Sequence, residues 1–386
     1  MANPPRHLRL PFLRLQLAEA RERYLTILAA LIAEEERARR RQRRRRRWWV
    51  RPWLERRVMY GQYETLMGEL EREHEGDFKS FLRMEPAMFH ELLQRVGPRI
   101  EKPDTQRPPL KPGLKLAITL RFLATGNSYK SLAFDFRVAH NTISLFVPEV
   151  CRAILEEYRD EVFRTPRTPA EWAVVAQRFQ DRWNFPHCCC AIDASDAGVF
   201  NGSVLEPALR EGRLGFPQPD PLPNDDRDTP YFIVADDAFP LRPYCMKPFS
   251  KRYMLREERI FNYRCSRARR VVENAFGILT NRFRCLLTTM NTKPPATVWI
   301  VTGCLTLHNI MRMRYPNLQN ADLDIEGDNH NIIPGAWRDG AVMAEVEAAG
   351  RGPRQTAEGK KQRHYLMKYF NSPAGSVPWQ DAAIDR

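Results

Sequence analysis

Two acidic residues lie where apolar runs of strand length end. HCCCAID, residues 187–193, ends at Asp193, and YFIVAD, residues 231–236, ends at Asp236. Runs of this kind predict two buried strands, and a parallel pair would place both aspartates side by side at one edge of a sheet. Taken singly, each aspartate is also explained as a strand-end turn or a helix cap.

A long helical pattern carries a third acid. It runs from about Arg256 to Arg284, and Glu273 borders its apolar stripe instead of lying on the solvated side. The stripe predicts a helix that packs on the sheet, so that Glu273 points toward the two aspartates. An ion pair with Arg269 or Arg270 along the same helix is the alternative. The predicted stripe consists of Val272, Ala275, Phe276, Leu279 and Phe283.

Three carboxylates that converge from two strands and a helix suit magnesium or manganese. These ions take hard oxygen ligands, and an incomplete protein shell leaves positions for water and phosphate. Two such ions about 3.5 to 4 Å apart can activate an attacking water or hydroxyl and stabilise the leaving oxygen of a phosphodiester. Together, Asp193, Asp236 and Glu273 therefore predict phosphoryl transfer on nucleic acid.

The net charge of the chain favours a polyanionic partner. The 386 residues carry a net charge of +14, and a hydrophobic content of 43% is enough for a packed core. The candidates for such a partner are DNA, RNA and acidic membranes. The longest apolar stretch near the start, Tyr24 to Ala33, is far short of the roughly 20 residues that span a bilayer, so we expect no membrane segment.

Most of the positive charge is concentrated in a basic arm, which we assign to residues 1–76. Residues 15–38 predict an amphipathic helix that leads into ten arginines between Arg37 and Arg51, interleaved with tryptophans. Arginine and tryptophan together can bind phosphates and stack on bases. A nuclear-import signal followed by aromatics that dock on the globular core is the alternative. The predicted DNA contacts here are Arg43, Arg44, Arg45, Arg46 and Arg47.

A helical unit is predicted over residues 77–165. Its second half divides into helices at about 114–124, 129–136 and 140–158, with Gly126 and Asn127 at the first turn. Three helices with a tight second turn are typical of a helix-turn-helix, in which His140, Asn141 and Thr142 would open the recognition helix and contact DNA. A trihelical unit that only packs explains the same pattern.

Three sequence blocks resemble the PIF/Harbinger transposases and their domesticated relatives, which are DDE superfamily endonucleases. AID ends at Asp193, ADDAFPLRPYCMKPFS contains Asp236, and FNYRCSRARRVVENAFGILTNRFRCL contains Glu273. The resemblance implies that these acids are catalytic ligands of Mg²⁺ or Mn²⁺ in an RNase H-like fold that cuts or joins DNA. It also implies a nuclear location and a separate Myb-like partner protein for sequence-specific DNA binding, and it is compatible with a homo-oligomer.

A basic loop follows the second aspartate. Lys247, Lys251 and Arg252 are predicted to contact DNA phosphates, with a solvated basic loop as the alternative. The spacing before this loop departs from the family, because only 43 residues separate Asp193 from Asp236 (236 − 193). An antiparallel hairpin, with two strands of about 5 to 6 residues each, belongs in that interval.

The residues between the two aspartates do not predict this hairpin. They contain no alternating β-branched run and are rich in Pro, Asp and Gly. An exon skip, a gene-model error and a genuine loss remain open as origins. The strand of Asp193 would then become a sheet edge with unpaired backbone groups, which supports a metal site poorly. Asp196 is the alternative to Asp193 if the segment shifts register.

The sequence therefore predicts an α/β fold. The family resemblance implies that it is an RNase H-like mixed sheet with flanking helices, which here lacks its second and third strands. The basic arm and the all-α, helix-turn-helix-like unit precede it. The nuclease domain is assigned to residues 166–316 and a polar C-terminal tail to residues 317–386. A catalytically inactive nuclear DNA-binding or adaptor protein is the main alternative. An RNA-binding protein that uses the Arg/Trp segment ranks last, because no RNA-binding module is present.

Overall fold

The protein divides into two compact units, residues 1–56 and residues 57–386. In the first unit, helix α1 spans Arg9–Gln42 and α2 spans Pro52–Glu55. The helix predicted over residues 15–38 is confirmed and extends further at both ends. Apolar side chains along it, Leu17, Tyr24 and Leu31 among them, are exposed. The computed structural model describes residues 9–42, 50–103, 108–193, 200–250, 253–316, 323–328, 330–339 and 355–385.

The second unit begins with a helical bundle. The three helices predicted between residues 114 and 158 are confirmed as α7, α8 and α9. Gly126 ends α7 with a φ of +70°, and the Ser128 hydroxyl caps α8 by accepting the Ser131 N–H at 3.2 Å. The helices are α3 Arg57–Tyr60, α4 Leu66–Glu73, α5 Glu75–Leu82, α6 Pro86–Ile100, α7 Pro112–Thr125, α8 Tyr129–Phe136, α9 His140–Val162 and α10 Pro169–Trp183.

A small sheet follows the bundle. Its strands have the order β1-β4-β5 and all run parallel, with Ala191 of β1 paired with Val234 of β4. The α/β class is confirmed, but the sheet is parallel where a mixed sheet was predicted, since the described residues add no antiparallel strand to it. The elements are β1 Cys188–Ala191, α11 Leu205–Arg210, β2 Asp220–Pro221, β3 Asp228–Thr229, β4 Phe232–Val234 and β5 Cys245–Met246.

One long helix, α12, packs on the sheet as predicted. Phe261, Cys265 and Ala268 share a core with Phe232 and Val234. The apolar stripe predicted further along α12 is partly wrong: Leu279 and Phe283 are buried, but Ala275 and Phe276 are exposed. The remaining elements are α12 Arg256–Arg282, a 3-10 turn Arg284–Leu287, α13 Pro294–Arg314, β6 Ile325–Glu326, β7 Ile332–Ile333, a 3-10 turn Ala336–Asp339, α14 Ala357–Phe370 and α15 Gln380–Ile384.

Helices on both sides of residue 165 share one core. Helix α13 packs against α9, and Gly303 allows this close approach, since a Cβ there would lie 2.9 Å from the Cβ of Cys151. Leu307 and Ile310 of α13 belong to the same buried cluster as Ile143 and Val147 of α9. The described residues therefore show no division near residue 165, where the sequence interpretation placed a domain boundary.

The end of the chain is also part of the core. Helix α14 packs on α12 and β5, and Leu366, Tyr369 and Phe370 are buried in the cluster that contains β4. The expectation of a polar tail over residues 317–386 therefore does not hold for this helix, because its apolar side chains face the sheet and α12. None of the described helices is both long and apolar enough to cross a membrane.

Candidate active site

The parallel pairing of β1 with β4 brings the two aspartates together. The Ile192 N–H donates to the Val234 carbonyl at 2.9 Å, which carries the pairing up to the residue before Asp193. On the other side of β4, the Ala235 N–H donates to the Met246 carbonyl at 2.9 Å, just before Asp236. Both carboxylates therefore leave the carboxyl ends of adjacent strands, as the sequence predicts.

Asp236 is the more strongly perturbed of the two acids. Burial and the hydrogen bond that it shares with Asp193 raise the pKa of Asp236 to about 6, although the Ala238 N–H and the charge of Arg269 favour its ionised form. The Ala238 N–H donates to Asp236 Oδ1 at 2.9 Å, which fixes the carboxylate over the turn after β4. Repulsion between two adjacent ionised carboxylates favours the protonated form of Asp236.

Arg269 connects the third acid to this pair. Its Nη2 lies 3.3 Å from Asp193 Oδ1, and its Nη1 lies 4.0 Å from Glu273 Oε1, one helical turn further along α12. The Arg269 side chain is only 15% exposed, whereas Asp193 is 31% and Glu273 38% exposed. Glu273 thus faces the aspartates, but the Arg269 guanidinium lies between them. The alternative prediction for Glu273, an ion pair with Arg269, is confirmed.

The site fits a divalent ion with two of its three acids. Asp193 and Asp236 offer adjacent, half-buried carboxylates, which are the hard oxygen donors that magnesium and manganese prefer. Glu273 lies on the far side of the Arg269 guanidinium. Within the described residues, no group of three or more His, Cys, Asp or Glu side chains is placed so that it could hold a metal ion.

Lys247 lies beside the site but inside the protein. Its side chain is buried, its Nζ donates to the Asp237 carbonyl at 2.7 Å, and burial lowers its pKa. Lys247 therefore secures the segment that follows Asp236. Its predicted contact with DNA does not fit this burial, because an enclosed amine is not presented to a duplex. The other two cations of the predicted loop, Lys251 and Arg252, lie outside the described residues, as does Asp196.

The predicted recognition residues lie at the start of α9. His140 and Asn141 are exposed and Thr142 is half-buried, after a turn in which Arg137 has a φ of +51°. This placement leaves their side chains accessible, and their contact with DNA stays a prediction. The five predicted arginine contacts of the arm, Arg43, Arg44, Arg45, Arg46 and Arg47, lie outside the described residues.

A second charged network supports α12 behind the acids, and the sequence interpretation missed it. Arg267 pairs with Glu326 at 2.9 Å, and Arg338 pairs with the buried Asp324 at 2.6 Å. Trp337 packs on Gly277, where a Cβ would lie 2.3 Å from the indole ring. The Gly at this position of a helical pattern was the available signal, because it marks a close approach.

Comparisons with known proteins agree with the resemblance of the three sequence blocks to DDE superfamily endonucleases. Residues 193–309 match a family model described as DDE superfamily endonuclease, and this range contains Asp193, Asp236 and Glu273. The chain is also similar to "Protein ALP1-like" of Arabidopsis thaliana, with 22% identity over 261 residues. That match covers 54% of this chain and 62% of the relative's length.

No solved structure matches the chain. The fold is therefore assigned from its own geometry. Strands β4 and β5, helix α12 and the three acids lie within the matched range, and β1 ends two residues before it. The comparisons and this geometry together relate residues 193–309 to the endonuclease domain of the DDE superfamily.

Proposed function

We propose that the protein is a nuclease derived from a PIF/Harbinger transposase, which cuts or joins DNA phosphodiester bonds with Mg²⁺ or Mn²⁺. The observation that carries the proposal is the pair of half-buried carboxylates, Asp193 and Asp236, at the ends of adjacent parallel strands. Their position inside the range matched by an endonuclease model supports the assignment. The chain spans 62% of the length of the Arabidopsis thaliana relative that it matches.

In this proposal, the residues of the site bind the metal ion or position its ligands. Asp193 and Asp236 would hold the divalent ion, and Glu273 would add a third carboxylate from α12. A bound ion of this kind supplies activation of a water or hydroxyl and stabilisation of the leaving oxygen. Asp236 is kept in place by the Ala238 N–H, and the Lys247 amine anchors the adjoining Asp237 carbonyl.

We also propose DNA as the substrate, the nucleus as the location and a Myb-like protein as a partner. The basic arm supports DNA, since ten arginines lie within the fifteen residues from Arg37 to Arg51. The exposed start of α9, at His140 and Asn141, offers a second surface to the duplex. The nuclear location and the partner rest on the family resemblance.

Removal of the Asp236 carboxylate tests the nuclease. We expect Asp236→Asn to reduce Mn²⁺-dependent nicking of supercoiled plasmid by about 100-fold or more, since loss of even an outer-shell partner of a metal ligand commonly costs about 10 to 100-fold. Glu273→Gln should have a comparable effect. The measurement is the initial rate of conversion to open-circular and linear DNA.

The matched control is Asp226→Asn, the same change at an exposed carboxylate away from the site. It should nick at the wild-type rate. Equal rates for wild type and Asp236→Asn would place the activity elsewhere and contradict the proposal. A wild-type chain that is folded and binds DNA but never nicks it would favour the second candidate function.

That second candidate is a catalytically inactive DNA-binding or adaptor protein. Two observations favour it: the Arg269 guanidinium lies between Asp193 and Glu273, and β1 is an edge of its three-stranded sheet. An edge strand holds metal ligands less rigidly than a central strand. The two candidates share DNA binding and differ in whether the acids act.

Salt dependence measures how far the basic arm supplies DNA binding. If all ten clustered arginines meet phosphates of duplex DNA, log K falls with log salt at a slope near −9, from about −0.9 per contact. Deletion of residues 37–51 should flatten the slope sharply. Replacing the ten arginines with lysine should preserve it, whereas replacing them with glutamine should not. A slope that survives the deletion assigns the main DNA contact to another surface.

A further inference from the structure

Three arginines lie close together on α12, and they face different groups. Arg267 and Arg270 are directed to Glu326, at 2.9 and 3.8 Å. Arg269 is directed to Asp193 and Glu273 instead, and its charge also acts on Asp236. The side chain that enters the acidic site is therefore Arg269, and it enters between the strand-end pair and the helix acid.

The contacts of Arg269 are incomplete for a buried guanidinium. Its Nε is buried and has no hydrogen-bond partner among the described residues. Its approach to Glu273 is 4.0 Å, which is an ion pair but too long for a hydrogen bond. For comparison, Arg338 holds Asp324 by two hydrogen bonds, at 2.6 and 2.9 Å. Arg269 is thus positioned by charge more than by a bidentate fork.

The oxygens that Arg269 contacts are those that a divalent ion would need. A metal ion that bound Asp193 and Glu273 together would occupy the space of the guanidinium, and the two cations would repel each other at such distances. Displacement of Arg269 would free the Asp193 oxygen and remove the group that separates Glu273 from the aspartates. Coordination of one ion by all three acids and the present position of Arg269 are therefore mutually exclusive.

We propose that Arg269 is an internal counter-cation of this site, which a divalent ion has to displace before Glu273 can join Asp193 and Asp236. This inference rests on the proposed nuclease function, because it assigns the same three acids to a metal. It makes Arg269 a positioning residue that sets metal affinity. A purely structural ion pair would instead stabilise the fold without altering metal affinity.

The test is Mn²⁺ binding by the full chain, followed by the electron paramagnetic resonance signal of free Mn²⁺ and by thermal unfolding. We expect Arg269→Gln to bind Mn²⁺ at least about 10-fold more tightly than wild type, because the ion no longer has to displace a like charge from the acids. Without Mn²⁺ its Tm should be lower, because three carboxylates lose their countercharge. Added Mn²⁺ should raise that Tm more than it raises the wild-type Tm.

Arg256→Gln is the matched control. Arg256 lies on the same helix and also bridges two carboxylates, Asp381 at 2.8 Å and Asp385 at 3.4 Å, but it lies outside the site. It should leave Mn²⁺ affinity unchanged. Arg269→Lys retains the charge without the fork, so it should bind Mn²⁺ with intermediate affinity, and it serves as the readout if Arg269→Gln does not fold.

Asp236→Asn separates the two ways in which the proposals can fail. If Asp236→Asn abolishes Mn²⁺ binding but the Arg269 variants bind no more tightly than wild type, the counter-cation inference is overturned and the proposed metal site stands. If Mn²⁺ binding is the same with and without Asp236, the ion binds elsewhere and both proposals are overturned. Tighter binding by Arg269→Gln that is lost in the double variant with Asp236→Asn supports both.

Discussion

Replacing Phe370 with alanine is expected to lower the free energy of unfolding by about 3 to 5 kcal/mol. Phe370 is fully buried, and its ring centroid lies 5.2 Å from that of Phe185 and 6.0 Å from that of Phe261. The Arg264 guanidinium lies 4.5 Å from the same ring. Truncation would leave a cavity between α14 and α12 and would expose the buried side of Arg264.

The comparison for Phe370→Ala is Leu145→Ala, which truncates a side chain that is 75% exposed on α9. We expect the control to stay within about 0.5 kcal/mol of wild type. Urea unfolding followed by tryptophan fluorescence measures both variants, with the slope against urea as a check on two-state behaviour. Equal stabilities would mean that α14 is not part of the folded core.

A second large effect is expected at low pH, from His308 on α13. Burial, followed by the charges of Arg282 and Arg312, lowers the pKa of His308 to about 3. The folded protein therefore binds fewer protons here than the unfolded chain, whose histidine has a pKa near 6.5. Stability from this group is complete above pH 6.5 and is lost as pH falls toward 3, at no more than about 1.4 kcal/mol per pH unit.

The measurement is the free energy of unfolding at several pH values between 7.5 and 4 for wild type and His308→Gln. The difference between the two isolates this histidine from the carboxylates that also titrate in acid. We expect the variant to lose less stability on acidification. His140→Gln, at the exposed start of α9, should keep the wild-type dependence. Parallel curves for wild type and His308→Gln would show that His308 is hydrated or finds a new partner on protonation.

Much of the fold follows from local patterns in the sequence. The helices α7, α8 and α9 begin within two residues of their predicted positions, because Gly126 and Ser128 determine the turn between the first two. The strand-length apolar runs before Asp193 and Asp236 both form strands, and the long helix near Glu273 spans Arg256–Arg282. Short-range periodicity and capping are sufficient for such elements.

Other features depend on contacts between distant parts of the chain. Ala275 and Phe276 lie on an apolar stripe, yet they are exposed, while Asn274 accepts the Trp337 Nε1–H at 2.9 Å from 63 residues further along. Nothing near α14 indicates that it packs on β5. Periodicity indicates that a helix has an apolar and a polar side, but it does not indicate which element packs against each side. These packing partners are therefore seen only in the structure.

The candidate site also has one part that the sequence predicts and one part that depends on packing. Strand ends predict the meeting of Asp193 and Asp236, because parallel strands carry them to one edge. The position of Arg269 between them and Glu273 depends on the rotation of α12 about its axis, which side-chain packing decides. The burial of Lys247 is equally invisible in the sequence, since a lysine in a basic loop is usually solvated.

The order of the strands determines how the sheet would respond to a deletion next to β1. The strands that carry the two aspartates are neighbours, and β1 lies at the edge of the sheet. Loss of a hairpin on the outer side of β1 would therefore remove no hydrogen bond between β1 and β4. Such a deletion would shorten the edge of the sheet and would leave the strands of Asp193 and Asp236 paired in the same register. A chain shortened in this way would keep both aspartates at the same edge of the sheet.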